Sequence, residues 1–411
     1  MSSSVVVPTT NVLTQPFDRL VAWEGMRPLA LSAPLLLLLL FSFAAPIASL
    51  LSRAVYDPTI SNALPRTSAA LRDTGGAGVP TEPVFQAFAA DLKDAQTGGT
   101  VYEFAKSLNA RLPGARSQVL RLARNAGQNP TMTKDAIIQA APLLSQESSW
   151  SVIRSGTSPL TTFYLLSAFD LHWTAQGSIA SVPAGEAVFV RVFIRTFLIS
   201  MTVTIATLLL AFPLAHLVVN LHPAVAGIVL VLVLLPFWTS ILVRTAAWTV
   251  ILQKFGLLND LLLWLGLVGE RQEFMYSRLG LIIAMTHIQL PFTLLPIYSV
   301  MRTIPPSQLR AAQSLGARPI RAFWRVYVPQ VMPGILAGCL LTFILCLGYY
   351  ITPALIGGAS DQLISNFIAN YVNVDLNWEM AAALSFVLLA FTLGLYVAMT
   401  RYLGLDLFKM G

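Results

Sequence analysis

Between two long apolar runs the chain reads LRAAQSLGARPIRAFWRVYVP, from Leu309 to Pro329. Arginine is costly inside a bilayer, so this stretch is predicted to be a loop that lies in water between two membrane spans. Gly316 tolerates positive φ and is expected to end a first short helix, while Pro319 suits the first turn of a second helix. Pro329 and Pro333 are expected to close that second helix.

The second helix is predicted to be amphipathic. One set of side chains recurs at i, i+3, i+4 and i+7 and is aromatic or aliphatic, and a second set on another face is cationic. The apolar set is Ile320, Phe323, Trp324 and Tyr327, and the cationic set is Arg318, Arg321 and Arg325. The loop therefore offers an apolar side for contact and a charged side for water.

Composition indicates an integral membrane protein. The 411 residues are 55% apolar and only 11% charged, and the mean hydropathy is +0.68. This balance excludes an ordinary soluble enzyme. The formal net charge of +7 does not indicate nucleic-acid binding, because the excess lies between apolar spans rather than on one hydrophilic domain. The positive-inside rule, by which cytoplasmic loops carry an excess of Lys and Arg, explains the net charge better.

We predict an all-α integral membrane protein with six transmembrane helices and a mainly helical extracytoplasmic insert between helices 1 and 2. The segments are a cytoplasmic tail at 1–27, the first helix at 28–52, the insert at 53–190, a five-helix core at 191–405 and a cytoplasmic tail at 406–411. A cleaved signal peptide is the alternative for the first apolar run. The later spans are expected near Val192–Val219, Ala224–Val243, Leu279–Val300, Val331–Ile356 and Met380–Tyr402.

Two shorter features follow from local patterns. Phe255–Leu267 is apolar but too short to cross a bilayer, which predicts an interfacial or re-entrant helix. In the insert, Thr81, Thr100 and Thr133 each precede a helix-forming run, so several short helices are predicted to begin there.

Charge asymmetry gives the orientation. Five arginines and no acid lie between Arg302 and Arg325, whereas Gly357–Glu379 holds three acids and no base. Basic loops stay in the cytoplasm, so the arginine-rich loop and both termini are predicted to be cytoplasmic. The insert is then extracytoplasmic.

The arginine-rich loop resembles the cytoplasmic EAA loop found in the membrane permease subunits of binding-protein-dependent ABC importers. The matching positions are Ala311, Ala312, Gly316, Val326, Val328 and Pro329. One departure is Arg310, where the usual residue is Glu. The resemblance implies a location in the bacterial inner membrane. It also implies that 191–405 is the permease core and that loop 302–331 couples to a separate ATPase. The expected coupling residues are Ala311, Ala312, Gly316, Arg321, Phe323, Trp324, Val326 and Pro329. The alternative is a basic interfacial hairpin bound to anionic lipid.

The energy source must lie outside this chain, because no G-x-x-x-x-G-K-[ST] phosphate loop occurs. The resemblance implies partner ATPase subunits that bind ATP and magnesium, a second permease subunit and a periplasmic solute-binding protein. We expect no catalytic residue, metal site, cofactor or nucleic-acid partner for this chain. A gradient-driven transporter or channel is the first alternative, although the predicted spans hold no Asp or Glu. A membrane-anchored scaffold that works through its insert is the second.

Three further segments, Ala211–Ala215, Leu235–Trp248 and Leu347–Gly358, resemble the spermidine/putrescine class of these permeases. A polyamine needs carboxylates and aromatic faces along its route. The candidate pathway residues are Trp238, Tyr349, Tyr350 and Asp361. Arg244 would repel a cation if it faced the pore, which leaves an amino-acid derivative or an organic anion open as the solute. The insert is far longer than is typical of the class.

Overall fold

The structure is a computed structural model that describes residues 32–74, 78–128, 132–174, 178–183 and 185–403. The two predicted tails therefore lie outside the described residues. The chain divides into two compact units, one up to Ser52 and one from Arg53 onward. The first unit contains helix α1, Ser32–Ser52, which is 21 residues long and has a π-turn at Leu40–Ala44. At 1.5 Å per residue such a helix spans about 30 Å, the thickness of the hydrocarbon layer.

The insert is mainly helical, as predicted, and it also contains a small β-hairpin. Its helices are α2 (Thr59–Ala63), α3 (Pro65–Thr74), α4 (Glu82–Thr97), α5 (Val101–Arg111), α6 (Ala115–Gln128), α7 (Lys134–Ala140), α8 (Glu147–Ser155) and α9 (Phe163–Ala168). The hairpin pairs β1 (Leu171–Trp173) with β2 (Ile179–Ser181) in antiparallel register, His172 opposite Ala180. The helix starts predicted after Thr81, Thr100 and Thr133 are confirmed, although none of these hydroxyls caps its helix.

The insert has its own hydrophobic core. Trp150 is fully buried, its ring meets Phe85 at 4.8 Å and Phe88 at 5.6 Å edge-on, and its indole Nε1–H donates to the Leu144 carbonyl at 2.8 Å. Edge-to-face aromatic pairs of this kind add to the free energy gained by burial. The insert therefore contains a core of the type found in water-soluble domains.

A buried ion pair lies beside this core. The Arg111 guanidinium donates to the Asp57 carboxylate at 2.8 Å, and the hydroxyl of Tyr164 donates to the same oxygen at 2.9 Å. Burial alone would raise the pKa of Asp57, but hydrogen bonds from Thr59 and the charge of Arg111 hold that pKa below its usual value. Burial and the charge of Asp57 raise the pKa of Tyr164, so its hydroxyl remains a donor.

The membrane-spanning part begins where the backbone N–H groups of Val188, Phe189 and Val190 donate to the Asp170 carboxylate. Its helices are α10 (Phe189–Asn220), α11 (Pro223–Leu234), α12 (Ile241–Ile251), α13 (Leu257–Trp264), α14 (Arg278–Thr303), α15 (Pro306–Ser314), α16 (Pro319–Leu347), α17 (Ile351–Ile356), α18 (Ile364–Asn373) and α19 (Trp378–Leu403). Within the described residues, five helices are long and apolar enough to cross a membrane, or six if the bent pair after α10 counts as one span. The predicted all-α membrane fold is confirmed.

Small and hydroxylated residues join the three central helices. The Thr293 hydroxyl of α14 lies 3.1 Å from that of Thr207 on α10 and 2.6 Å from that of Thr342 on α16. A Cβ on Gly338 of α16 would lie 2.7 Å from the Thr293 carbonyl, so only glycine permits this approach. Short contacts between small residues and interhelical hydrogen bonds are the usual means of helix association in lipid.

The structure differs from the predicted spans at three places. The third span is bent by 104° after Trp238, where Pro236 lies in a 3₁₀ turn and the Ser240 hydroxyl accepts from the N–H of Val243 to start α12. The fifth span ends at Leu347, and Ile351–Ile356 forms the separate helix α17. The acidic loop before the last span contains a helix, α18.

The prediction that Pro329 and Pro333 close the second loop helix is wrong. Helix α16 continues from Pro319 to Leu347 because the turn just before Pro329 is a π-turn, Phe323–Tyr327. The N–H of Val328 donates to the Phe323 carbonyl across this wider turn. A local π-turn can absorb backbone groups that proline leaves unpaired, so the loop helix and the span form one rod.

Candidate coupling site and solute pathway

The corner between α15 and α16 is closed by backbone hydrogen bonds. The N–H of Ala317 donates to the Ala312 carbonyl at 3.1 Å, and the N–H of Gly316 donates to the Gln313 carbonyl at 2.9 Å. This pair of bonds, with φ of +89° at Gly316, is a Schellman motif. Because a Cβ at Gly316 would meet no atom within 4 Å, the backbone conformation and not space selects glycine.

The outer side of this corner is apolar and exposed. Leu315 is 90% exposed, Ile320 71% and Trp324 62%. The arginines around them, at positions 302, 310, 318, 321 and 325, are also exposed, and no carboxylate of the described chain lies within ion-pair distance of them. Among the predicted coupling residues, Ala311, Gly316, Arg321, Trp324 and Pro329 are exposed, while Ala312, Phe323 and Val326 are half-buried.

The inner side of the same rod contacts the second span through aromatic rings. Phe323 stacks on Tyr327 with centroids 5.4 Å apart, and His216 of α10 lies edge-on to both rings at 5.4 Å. Phe212 meets Phe323 at 6.2 Å. Of the four residues predicted on one apolar face, Phe323 and Tyr327 thus contact α10, whereas Ile320 and Trp324 are exposed.

A cavity of about 210 Å³ lies where α10, α14, α15 and α16 meet. Its wall is partly polar: Arg310 of α15 and His216 of α10 line it together with three side-chain amides. The amides belong to Asn220, Gln308 and Gln330. The Nδ1 atom of His216 is buried and has no hydrogen-bond partner in the described part of the chain.

A second, wholly apolar groove of about 390 Å³ lies on the other side of α16. Trp324, Val328 and Met332 form one wall, and Leu209 with Phe212 of α10 forms the other. Trp324 therefore lies at the boundary between an apolar groove and the charged loop, a position that suits tryptophan at a membrane interface.

Comparison with known proteins identifies a family of transport proteins. Residues 247–404 match the family described as the binding-protein-dependent transport system inner membrane component. The spermidine/putrescine transport system permease protein PotB of Haemophilus influenzae is 34% identical over 204 residues, which are 49% of this chain and 71% of that protein.

Two further similarities were found. The inner membrane ABC transporter permease protein YdcU of Escherichia coli is 32% identical over 255 residues, covering 59% of this chain and 81% of that protein. A chain in the crystal structure of a bacterial alginate ABC transporter with an alginate-bound periplasmic protein is 19% identical with a TM-score of 0.44, and the match covers 52% of this chain and 79% of that chain. The chain belongs to the family of binding-protein-dependent transport system inner membrane components.

Membership of this family establishes the general function of the chain. The inner membrane component is a non-catalytic, multi-pass permease subunit of an ABC importer for a small solute. Dependence on a binding protein implies a solute-binding protein and an ATPase as its partners. The matched residues 247–404 include the corner at Gly316 and every helix from α13 onward.

The predicted pathway residues of this inner membrane component lie on three different elements. The carbonyls of Tyr349 and Tyr350, between α16 and α17, accept hydrogen bonds from Ser365 at 2.6 Å and Asn366 at 2.7 Å on α18. Trp238 lies at the bend of the third span and is 71% exposed. No hydrogen bond or ring contact within the described residues joins Trp238 to either tyrosine.

Asp361, the fourth pathway residue, is buried and already paired. Its carboxylate accepts from the Arg278 guanidinium at 2.8 Å, at the start of α14. Arg195 of α10 donates to the carbonyls of Ser360 and Gln362 on either side. Neither arginine was predicted as a site residue from the sequence. Their position at the ends of apolar spans, together with an acidic loop elsewhere in the sequence, is the signal that could have found them.

Proposed function

We propose that the corner at Gly316 is the cytoplasmic element that receives the movement of a partner ATPase and passes it to the spans. The observation that carries this proposal is the connection of one exposed corner to two membrane helices, through a continuous helix and through aromatic contacts. Leu315, Ile320 and Trp324 offer an apolar contact surface, and Phe323 and Tyr327 pack the same rod against His216 of α10. Because α16 is continuous from Pro319 through its π-turn to Leu347, movement of the corner would be passed on to the span.

The proposal includes the orientation and the division of labour expected from the sequence. The five arginines of the corner region lie on the cytoplasmic side, both termini are cytoplasmic, and the insert is extracytoplasmic. ATP and magnesium bind to the partner ATPase and not to this chain. A second permease subunit completes the pathway, and the insert offers a surface on the side where the solute-binding protein arrives.

For the solute we propose a polyamine of the spermidine and putrescine class. The support is the similarity to PotB at 34% identity, together with aromatic residues at Trp238, Tyr349 and Tyr350 that suit cation–π contact with ammonium groups. Arg278, 2.8 Å from the Asp361 carboxylate, competes with an ammonium group for that carboxylate. Opening of the outer end would therefore exchange one cation for another at the same carboxylate.

A second candidate solute is supported by Arg244. This residue lies in α12, and its Nε atom is buried without a hydrogen-bond partner in the described chain. An unpaired guanidinium within a membrane segment favours an anionic group nearby. An amino-acid derivative or an organic anion would supply that group, whereas a polyamine would not.

Reconstitution tests both parts of the proposal. The permease is placed in proteoliposomes with its partner permease, ATPase and solute-binding protein, and ATP hydrolysis and uptake are measured with spermidine, an amino acid and a dicarboxylate. Spermidine-stimulated hydrolysis with uptake is expected. Stimulation by the dicarboxylate alone would contradict the polyamine assignment. Uptake that follows a proton gradient and needs no ATPase would contradict the coupling role.

The variant Gly316→Val tests the corner itself. Positive φ is strained for a β-branched residue by about 1–3 kcal/mol, so the corner should change shape. Loss of solute-stimulated hydrolysis is expected, with the spans still folded. Gly269→Val is the matched control, because Gly269 lies in a surface turn where a Cβ meets no atom within 4 Å and φ is not positive.

A further inference from the structure

The cavity beneath the corner has an uncompensated positive character. The Arg310 guanidinium lines it, and no carboxylate of the described chain lies within ion-pair distance of that group. The cavity also lies at the amino end of α15, where the helix dipole is positive. No Asp or Glu is among its lining residues. This wall would therefore bind a negatively charged group that accepts hydrogen bonds.

We propose that the cavity receives an Asp or Glu side chain of the partner ATPase and that Arg310 is its counter-charge. This inference rests on the proposed coupling role of the corner. Arg310 stands where the EAA pattern has Glu, so the sign of the charge presented to the partner is reversed. The matching charge on the partner is therefore an acid.

The size of the cavity favours a protein side chain over a small soluble ligand as its occupant. Small-molecule sites usually measure about 300–1,000 Å³, and a water molecule occupies about 30 Å³. A volume of about 210 Å³ is too small for a nucleotide and suits one side chain with a few waters.

The polar groups in the cavity wall favour a protein side chain over a lipid as the occupant. The apolar groove at Trp324 is on the other side of α16 and offers an acyl chain a wholly apolar surface. The cavity at Arg310 also has apolar walls, but it carries a charged residue, the amide of Gln308 and the unpartnered Nδ1 of His216. The amide N–H groups of Asn220 and Gln330 already donate to carbonyls of their own helices. One cation and two polar groups without a partner in the described chain favour a hydrogen-bonding occupant that arrives from water.

Co-purification tests the charge. The tagged permease is isolated in mild detergent from cells that also make its ATPase, and the amount of ATPase retained is measured for Arg310→Gln, Arg310→Glu and the control Arg302→Gln. Arg302 is an exposed arginine of the same region that does not line the cavity. Loss of one partner of a desolvated charge pair should lower ATPase affinity about tenfold or more in Arg310→Gln. Arg310→Glu should lower it further, and Arg302→Gln should resemble wild type.

Zero-length cross-linking tests the identity of the occupant. Arg310→Lys keeps the positive charge and supplies an amine, which a water-soluble carbodiimide joins to a carboxylate in contact with it. We expect an amide between position 310 and an Asp or Glu of the ATPase, identified by mass spectrometry of the cross-linked peptide. The same treatment of wild type should give no adduct at this position.

The outcomes separate the inference from the proposed function. ATPase retained equally by wild type and Arg310→Glu, with no adduct at position 310, would overturn the inference and leave the coupling role standing. An adduct on phosphatidylserine would overturn it as well, in favour of a lipid headgroup. If wild type retains no ATPase, the coupling role fails and the inference fails with it.

Discussion

In the insert, Trp150 and Phe88 are fully buried, whereas in the membrane-spanning part Leu209 and Phe237 are more than half exposed. The residues buried between the spans include hydroxylated side chains, among them Thr207, Thr293 and Thr342, beside large apolar ones such as Leu294 and Ile297. One chain thus follows two rules of burial. In water, removal of large apolar side chains from solvent stabilises the fold, while in lipid the tails already solvate those side chains, and close packing with hydrogen bonds holds helices together.

The largest expected effect contrasts truncation of a large side chain in the two regions. Trp150→Ala removes a fully buried ring with two edge-on partners and should lower the free energy of unfolding of the insert by about 3–5 kcal/mol. Leu209→Ala, on the exposed face of α10, should change stability little. Hydrogen exchange of α4–α6 amides in the full chain measures the first effect. Equal protection in both variants would show that the insert core does not carry its stability.

The next effect concerns a charge pair in the insert. Asp57→Asn leaves Arg111 buried without a counter-charge and should cost about 3 kcal/mol at neutral pH. The pKa of Asp57 is lower in the folded state, so its contribution is present above its ordinary value of 3.8 and is lost as pH falls through the folded value. We expect wild type to lose insert stability below about pH 4. In Asp57→Asn this part of the pH dependence should be absent.

A control for that titration is the exposed pair of Arg66 and Asp94, also at 2.8 Å. Asp94→Asn should leave insert stability within about 0.5 kcal/mol of wild type, because exposed pairs contribute little. If Asp94→Asn shifts acid unfolding as much as Asp57→Asn, burial is not what makes the Asp57 pair important.

A smaller effect is expected among the membrane helices. Thr293→Val keeps the volume but removes two interhelical hydrogen bonds, to Thr207 and Thr342. Each such bond contributes about 0.6 kcal/mol in membrane proteins, so the loss should be about 1 kcal/mol in a detergent unfolding titration. Thr202→Val is the matched control, because its hydroxyl is exposed and bonds only to the Leu198 carbonyl of its own helix. An equal loss of stability in the two variants would show that the threonine cluster does not hold these helices together.

The two regions also differ in how far the sequence predicts them. Apolar runs predict spans because lipid requires about twenty apolar residues whatever the neighbours are, and α10 and α14 begin and end within a few residues of expectation. The bend after Trp238 and the hairpin at Leu171–Ser181 were not predicted. The bend arises at Pro236 and the Ser240 cap inside one apolar run, and hydropathy alone predicts one span there. Three-residue strands carry too little pattern to be recognised.

At the corner, local chemistry predicts the turn but not the roles of its aromatic residues. Gly316 was predicted as a helix end because only glycine adopts positive φ freely, and the Schellman motif follows from it. Helical periodicity places Ile320, Phe323, Trp324 and Tyr327 on one face. The π-turn at Phe323–Tyr327 adds a residue to the turn and changes that register, so periodicity alone could not separate the contacts with α10 from the exposed side chains.

The smallest effect on stability is expected at Trp324. This variant tests whether an exposed apolar side chain of the corner contacts a partner protein or only lipid. Trp324→Ala should change the free energy of unfolding by less than about 0.5 kcal/mol, since the side chain is 62% exposed. If the ring is an anchor for the ATPase, ATP-driven uptake should fall about tenfold or more.

Phe323→Ala should impair uptake and also loosen α16 against α10. Trp264→Ala, at an 81% exposed tryptophan of α13, is the control for loss of an interfacial ring. Normal uptake in Trp324→Ala would mean that this side chain only fills the apolar groove, and contact with the ATPase would then have to involve Leu315 and Ile320.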